Sequence, residues 1–303
     1  MKKLLFLFPV FLCASLISNA CEICGCGHSN YYIGLLPKFK HAYIGLRYQY
    51  KHFNTVMADD KTQFSRDYFK TVELWGGWNI GKRWQVLAVI PYTYIHQVSD
   101  EGVANNQGIG DVAAMVNYKL FDRSSALSKK TLVQQQLWIG AGIKVPTGKF
   151  SIDETDPAVV ALANTQTGTA STDFMINGTY DVRINKVGIT TNASYKINTS
   201  NRDNYLFGNK FSAASFVSYS IQKNQLLIVP NAGLQYEDIS GNKLNKELVT
   251  QTGGRLLTAS GGLEFSFRQF TIGTNFQLPV SQHFASGQTE LKSRGMVHFS
   301  VAF

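Results

Sequence analysis

Ala42-Tyr43-Ile44-Gly45-Leu46-Arg47-Tyr48-Gln49-Tyr50-Lys51 is the stretch whose reading decides the fold. Successive side chains of an extended chain point to opposite faces. Ala42, Ile44, Leu46, Tyr48 and Tyr50 therefore share one face, and Tyr43, Gly45, Arg47, Gln49 and Lys51 share the other. The first face suits lipid, the second suits water or polar partners. The alternation returns along the chain in segments of about ten residues. Val72, Leu74 and Trp78 oppose Thr71, Glu73 and Asn79; Val112, Ala114, Val116, Tyr118 and Leu120 oppose Asp111, Asn117 and Lys119. Leu137, Ile139, Ala141, Ile143 and Val145 oppose Gln134, Gln136 and Lys144, and Phe174, Ile176 and Tyr180 oppose Asp173, Asp181 and Arg183. Further strands are expected at Val187–Lys196, Lys210–Ile221, Leu226–Glu237 and Leu257–Phe267. With Trp84–Pro91, Phe270–Leu278 and the C-terminal segment they make twelve, an even number as in single-chain bacterial barrels.

The joints between these segments sort by length. Asn79–Arg83, Arg183–Lys186, Gln222–Gln225 and Arg268–Gln269 are short, and Asp122–Lys130 is somewhat longer. Phe53–Tyr68, Tyr92–Gly108, Pro146–Ala170, Asn198–Gly208, Asp238–Gly254 and Ser281–Lys292 are long and polar. Short and long joints alternate, as they do between the periplasmic turns and extracellular loops of a transmembrane barrel. The expected fold class is thus all-β: a closed antiparallel transmembrane β-barrel of about twelve strands with both termini periplasmic. Pro91 and Pro146 read as strand terminators, since proline removes a ladder donor.

Composition agrees. The chain is 44% hydrophobic, 13% aromatic and only 16% charged, with 26 glycines. That excludes an intrinsically disordered chain and argues against a helical bundle. Past the N-terminus no apolar run nears the ~18 residues a membrane helix needs. Lys2 and Lys3 precede the apolar Leu4–Ile17, and Ser18-Asn19-Ala20 places small residues before Cys21, the layout of an export signal. The expected organisation is a signal peptide at 1–20, a Cys-rich periplasmic segment at 21–40 and the barrel at 41–303. The net charge of +9 comes with no nucleic-acid-binding motif, so nucleic acid is not an expected partner.

Polar side chains on the inner face are the candidate solute path: Arg47, Gln49, Glu73, Asp111, Gln134, Gln136, Lys144, Asp173, Asp181, Arg183, Lys196 and Glu237. Lys119 shares that parity. A Lys or Arg on the lipid face would cost about 2–4 kcal/mol at the bilayer midplane, so these groups belong to the lumen or the rims. Either they pair and fill the barrel or they line a path; twelve strands enclose more than an eight-stranded barrel, so a partly plugged path is expected. Tyr48, Tyr50, Trp78, Trp84, Tyr118, Tyr180, Tyr195, Tyr219 and Tyr236 suit the interfacial girdles. The chain ends Val297-His298-Phe299-Ser300-Val301-Ala302-Phe303, and Val297, Phe299, Val301 and Phe303 resemble the terminal-strand signal read by the barrel-assembly machinery.

Gly108-Ile109-Gly110-Asp111-Val112 resembles the G-x-G-D motif of an outer-membrane channel family named for the meta-pathway of phenol degradation. Val89-Ile90-Pro91-Tyr92 and Lys144-Val145-Pro146-Thr147-Gly148 are similar to two more of its recurring pieces. The resemblance spans most of the barrel. It implies a passive or facilitated channel in the outer membrane, often for hydrophobic or aromatic solutes.

Cys21-Glu22-Ile23-Cys24-Gly25-Cys26-Gly27-His28 is the sharpest local motif. Three thiols and an imidazole suit Cu(I) or Zn(II) and not Mg(II) or Ca(II), which prefer oxygen. Three other readings stand beside that one: a disulfide in an oxidising compartment, a lipidated Cys21, or a segment that holds another factor at the rim. His41 and His298 have the parity to extend a metal path, or to be hydrogen-bonded wall residues. No cofactor is otherwise required. The leading function is a channel or transporter for a small solute, with outer-membrane lipid around it. A binding or structural barrel without transport is the alternative. An enzyme is disfavoured, since there is no G-x-S-x-G and no defensible nucleophile–base pattern.

Overall fold

The computed structural model describes residues 42–128, 131–151 and 163–303. Twelve strands build the wall. They are β1 (Ala42–Val56), β2 (Phe64–Ile80), β3 (Trp84–Ser99), β4 (Val112–Ser128), β5 (Thr131–Val145) and β6 (Asp173–Ile184). β7 (Val187–Ile197), β8 (Lys210–Tyr219), β9 (Leu226–Ile239), β10 (Gly254–Phe267), β11 (Phe270–Phe284) and β12 (Thr289–Ala302) follow. Each pairs antiparallel with its neighbours in sequence. β12 then pairs with β1, from Tyr43 opposite Ala302 to Thr55 opposite Thr289, and closes the sheet on itself. Closure leaves no open edge, which is the condition for a sheet to cross lipid.

The two faces follow parity. In β1, Ile44, Leu46 and Tyr48 are exposed while Tyr43, Arg47, Gln49 and Lys51 are buried. An exposed apolar belt continues round the wall through Val72, Ile90, Val116, Ile143, Ile176, Ile189, Val217, Leu234, Phe265, Ile272 and Val297. Trp78, Trp84, Tyr180 and Tyr219 mark one margin of this belt, and Tyr48, Tyr92 and Tyr195 mark the other. Each is more than a third exposed. An all-round apolar exterior over a polar interior is the surface of a transmembrane barrel.

Strands run 10 to 17 residues, longer than the ten-residue reading. Except on β4, most of the excess lies beyond the belt at the long-loop end, so the loops there are shorter than expected. Tyr92–Gly108 is no loop at all: β3 runs on to Ser99, turns, and pairs with a short strand at Gly102–Ile109. Asp122–Lys130 is likewise mostly strand, because β4 continues to Ser128 through bulges at Lys119/Phe121 and Ala126/Ser128. A bulge adds one residue and breaks the period of two, which hides the strand from a pattern search. The tight turns at the other end use Asn185 and Asn224 at positive φ, 52° and 54°. Asparagine tolerates that conformation better than most residues.

Pro91 does not terminate β3. Its carbonyl accepts from Gly110 N at 2.8 Å, so the edge lacking an N–H faces the gap between Ile109 and Val112, where the neighbouring strand is broken. No ladder bond is lost there. Pro146 does follow the end of β5 at Val145.

Candidate functional site

The interior of the barrel is the candidate site, and it divides into three polar groups and one apolar layer. The first group lies at mid-height on β1 and β2. Arg47 is paired with Glu73, and Gln49 Nε2 donates to the same carboxylate at 2.8 Å. The Arg47 guanidinium lies 5.2 Å from the Trp75 ring centre. Trp75 in turn packs edge-on against Tyr43 and His298. His298 Nε2 lies 2.9 Å from Glu264 Oε1, so this histidine is a partnered wall residue. His41, Cys21, Cys24, Cys26 and His28 lie outside the described residues. Among the described residues no group of three or more His, Cys, Asp or Glu is placed to hold a metal ion.

The second group sits toward the long-loop end between β4 and β7. Lys144, 1% exposed, stands between Asp111 at 2.6 Å and Asp173 at 2.8 Å, and Lys196 reaches Asp173 at 3.1 Å. Asp111 also accepts from Gly148 N, Thr169 N and Thr169 Oγ1 at 3.0, 3.0 and 2.7 Å. Thr147 Oγ1 donates to Gly110 O at 2.8 Å and accepts from Val112 N at 2.9 Å. A Cβ on Gly110 would come within 3.0 Å of Pro91 and 3.1 Å of Thr167 O. The three short motifs of the sequence therefore meet at one point. They bridge the break before β4 and anchor the end of the loop between β5 and β6, where Thr167, Thr169 and Ser171 are buried.

Across the lumen, Glu237 on β9 accepts from Arg294 Nη1 at 2.6 Å, from Lys210 Nζ at 2.8 Å and from Gln235 Nε2 at 2.6 Å. Arg294 sits on β12, with two strands between it and β9, so this third group ties non-adjacent walls together. Its acceptors are mutually occupied: Gln277 takes Arg294 Nη1 at 3.3 Å and donates to Asn275 at 3.2 Å and Gln235 at 3.4 Å. Near it, Phe53, Phe69, Ile95, Ile239, Leu256, Phe284 and Leu291 form one buried apolar cluster toward the long-loop end, contributed by β1, β2, β3 and β9 to β12.

The twelve residues read as inward from parity stand in differing surroundings. Arg47, Gln49, Glu73, Asp111, Lys144, Asp173 and Glu237 are buried among partners. Gln134, Gln136, Asp181, Arg183 and Lys196 are half-buried. Gln136 donates to Asp122 at 3.1 Å, and Asp181 accepts from Thr190 at 2.5 Å. Glu264, Arg294, Lys210, Gln277 and Trp75 escaped the sequence reading. Parity names Glu264 once Leu263 and Phe265 face outward. Arg294 lies just past the bulge at His52/Phe53, where the register shifts. Val297, Phe299 and Phe303 face outward and are 48, 46 and 70% exposed, and Phe303 N donates to Ala42 O at 2.8 Å.

With this geometry in hand, comparison with known proteins is direct. The family described as "Putative MetA-pathway of phenol degradation" matches residues 47–290, nearly the whole barrel. The chain belongs to that family. No curated protein sequence matches it. An outer membrane channel from Pseudomonas putida F1 superposes with a TM-score of 0.63 at 11% identity, over 91% of this chain and 99% of that one. The beta domain of the Bordetella autotransporter BrkA gives 0.50 at 9% identity, over 87% and 100%. At such identities the likeness is one of fold. The chain brings its three short motifs together at the join of β3, β4 and β5.

Proposed function

We propose that this phenol MetA family member is a passive channel carrying a small solute across the outer membrane of a diderm bacterium. One observation carries the reading: a closed barrel, apolar all round its exterior, encloses an interior of polar side chains beneath an apolar layer. That construction serves passage along the axis. The similar Pseudomonas putida F1 fold is that of an outer membrane channel, and it supports the same use here. The ring-lined layer of Phe53, Phe69 and Phe284 favours solutes with an apolar body. Arg47, Gln49, Glu73, Gln134, Gln136, Asp181 and Arg183 line the path below it. Asp111, Lys144, Asp173 and Lys196 hold the wall and the infolded loop together. This is a channel and not an enzyme.

Sorting of the connections by length supports an extracellular long-loop end and periplasmic termini. The outward Val297, Phe299 and Phe303 support a role for the terminal strand as the assembly signal. An epitope inserted between Asp153 and Thr167 should be labelled on intact cells, and one beside Asn185 only after the outer membrane is breached. The opposite pattern would invert the orientation. Solute flux into vesicles carrying the purified barrel tests the channel itself, and should exceed that of protein-free vesicles.

A further inference from the structure

The outward face of the wall carries a chemistry of its own beyond the apolar belt. At the long-loop margin, Val72 on β2 lies between Tyr48 on β1 and Tyr92 on β3. Two residues further out, Lys70 stands between Tyr50 and Tyr94, its ammonium 5.7 Å from the Tyr94 ring centre. His52, Tyr68 and His96 form the next row: the first two rings stack at 4.5 Å, and Tyr68 lies 5.9 Å from His96. Arg66 follows, its guanidinium 5.4 Å from the Phe64 ring centre.

Lys70 and Arg66 are exposed, and neither has a carboxylate partner among the described residues. Asp67, the one acid in the stretches 48–56, 64–72 and 92–99, points inward and is 0% exposed. Outward cations on other strands at this end are matched. Lys292 on β12 pairs with Glu290, and Arg255 on β10 pairs with Asp238 at 3.1 Å. The excess positive charge is thus concentrated on β2, directly above lipid-facing surface.

Cations so placed attract anionic headgroups, at about 1 kcal/mol per Lys or Arg. Depth then chooses among headgroups. A strand tilted by about 40° climbs about 2.5 Å per residue, which puts Lys70 about 5 Å and Arg66 about 15 Å beyond Val72. The polar zone of an ordinary bilayer adds only about 5–8 Å on each side. Lys70 therefore stands at the level of a lipid phosphate, and Arg66 beyond the head of a single-phosphate phospholipid.

We propose that this face binds a phosphorylated glycolipid of the outer leaflet. Lys70 meets phosphate next to the acyl chains, and Arg66 meets phosphate carried further out on the sugars. The inference rests on the reading that the long-loop end is extracellular, and is independent of solute flux.

The test uses the purified, assembled barrel in detergent. The probe is lipopolysaccharide with phosphorylated core sugars, followed by native mass spectrometry. Lipid A without the core, chemically dephosphorylated lipopolysaccharide and phosphatidylglycerol are its counterparts. Lys70→Gln should weaken lipopolysaccharide and lipid A alike, by about fivefold. Arg66→Gln should weaken lipopolysaccharide by about fivefold and leave lipid A unchanged. Arg255→Gln should change neither. Heat-modifiable gel mobility confirms that the variants are assembled. Equal affinity of wild type and the Arg66→Gln, Lys70→Gln double variant would overturn the site. So would dephosphorylated lipid or phosphatidylglycerol binding as tightly as lipopolysaccharide, or an equal loss in Arg255→Gln. Loops labelled on intact cells with no lipopolysaccharide bound reject this site alone. Loops labelled only after breach of the outer membrane reject the orientation and the site together.

Discussion

Lys144→Met should cost the barrel roughly 3–5 kcal/mol, the range for breaking a buried ion pair by removing one partner. Lys144 is 1% exposed and stands between two carboxylates, Asp111 and Asp173, that are themselves 6% and 0% exposed. Methionine fills most of the volume but takes the ammonium from both carboxylates, while Asp111 keeps its bonds from Gly148 and Thr169 and Asp173 keeps Lys196. The ammonium also bonds Thr169, so the infolded end of the loop loses a tie. Urea titration of the folded barrel, followed by heat-modifiable mobility, should show the midpoint falling. Lys196→Met should fall less, because Lys196 is 12% exposed at its side chain and Lys144 still faces Asp173. Neutralising one pair together, Lys144→Met with Asp111→Asn, should recover much of the loss, since Asp173 keeps Lys196 and no charge is left stranded. Equal damage from the single and double changes would show that the cluster acts by shape and not by charge.

Phe53→Ala combined with Phe284→Ala should widen the long-loop end of the lumen and raise ion conductance several-fold in planar bilayers. Both rings are 0% exposed and belong to the apolar layer on β1 to β3 and β9 to β12. Each truncation also costs about 3–5 kcal/mol if the neighbours do not collapse into the space. The closed sheet is independent of these rings, since every wall strand is held by two ladders. The variant should therefore still assemble, with lower resistance to urea. Unchanged conductance in an assembled variant would mean that the layer does not lie on the path.

The fold was legible because period-two alternation and loop sorting are properties of single strands and single joints. Ala42–Lys51 alone fixed the inward side of β1, and Arg47 and Glu73 could be placed on one face without any knowledge of their pairing. What was not legible arises where the period breaks. The bulges in β4 disguised Asp122–Ser128 as a loop, and the hairpin extension of β3 disguised Tyr92–Gly108. Pro91 read as a stop because the sequence does not show that its donor-less edge faces a gap at Gly110. The convergence of three motifs on Asp111, and the Glu237–Arg294 contact across 57 residues, depend on closure, which no local pattern encodes. Arg294 was hidden for both reasons.

Osmotic swelling of vesicles reconstituted with the wild-type barrel tests the central claim most directly. If the lumen carries small solutes, swelling should be faster than in protein-free vesicles, scale with the amount of assembled barrel, and fall as solute size rises. Small solutes with an apolar body should pass at least as fast as polar ones of equal size. Swelling no faster than in protein-free vesicles, with the barrel shown to be assembled in the membrane, would contradict the account and leave a binding or structural barrel in its place.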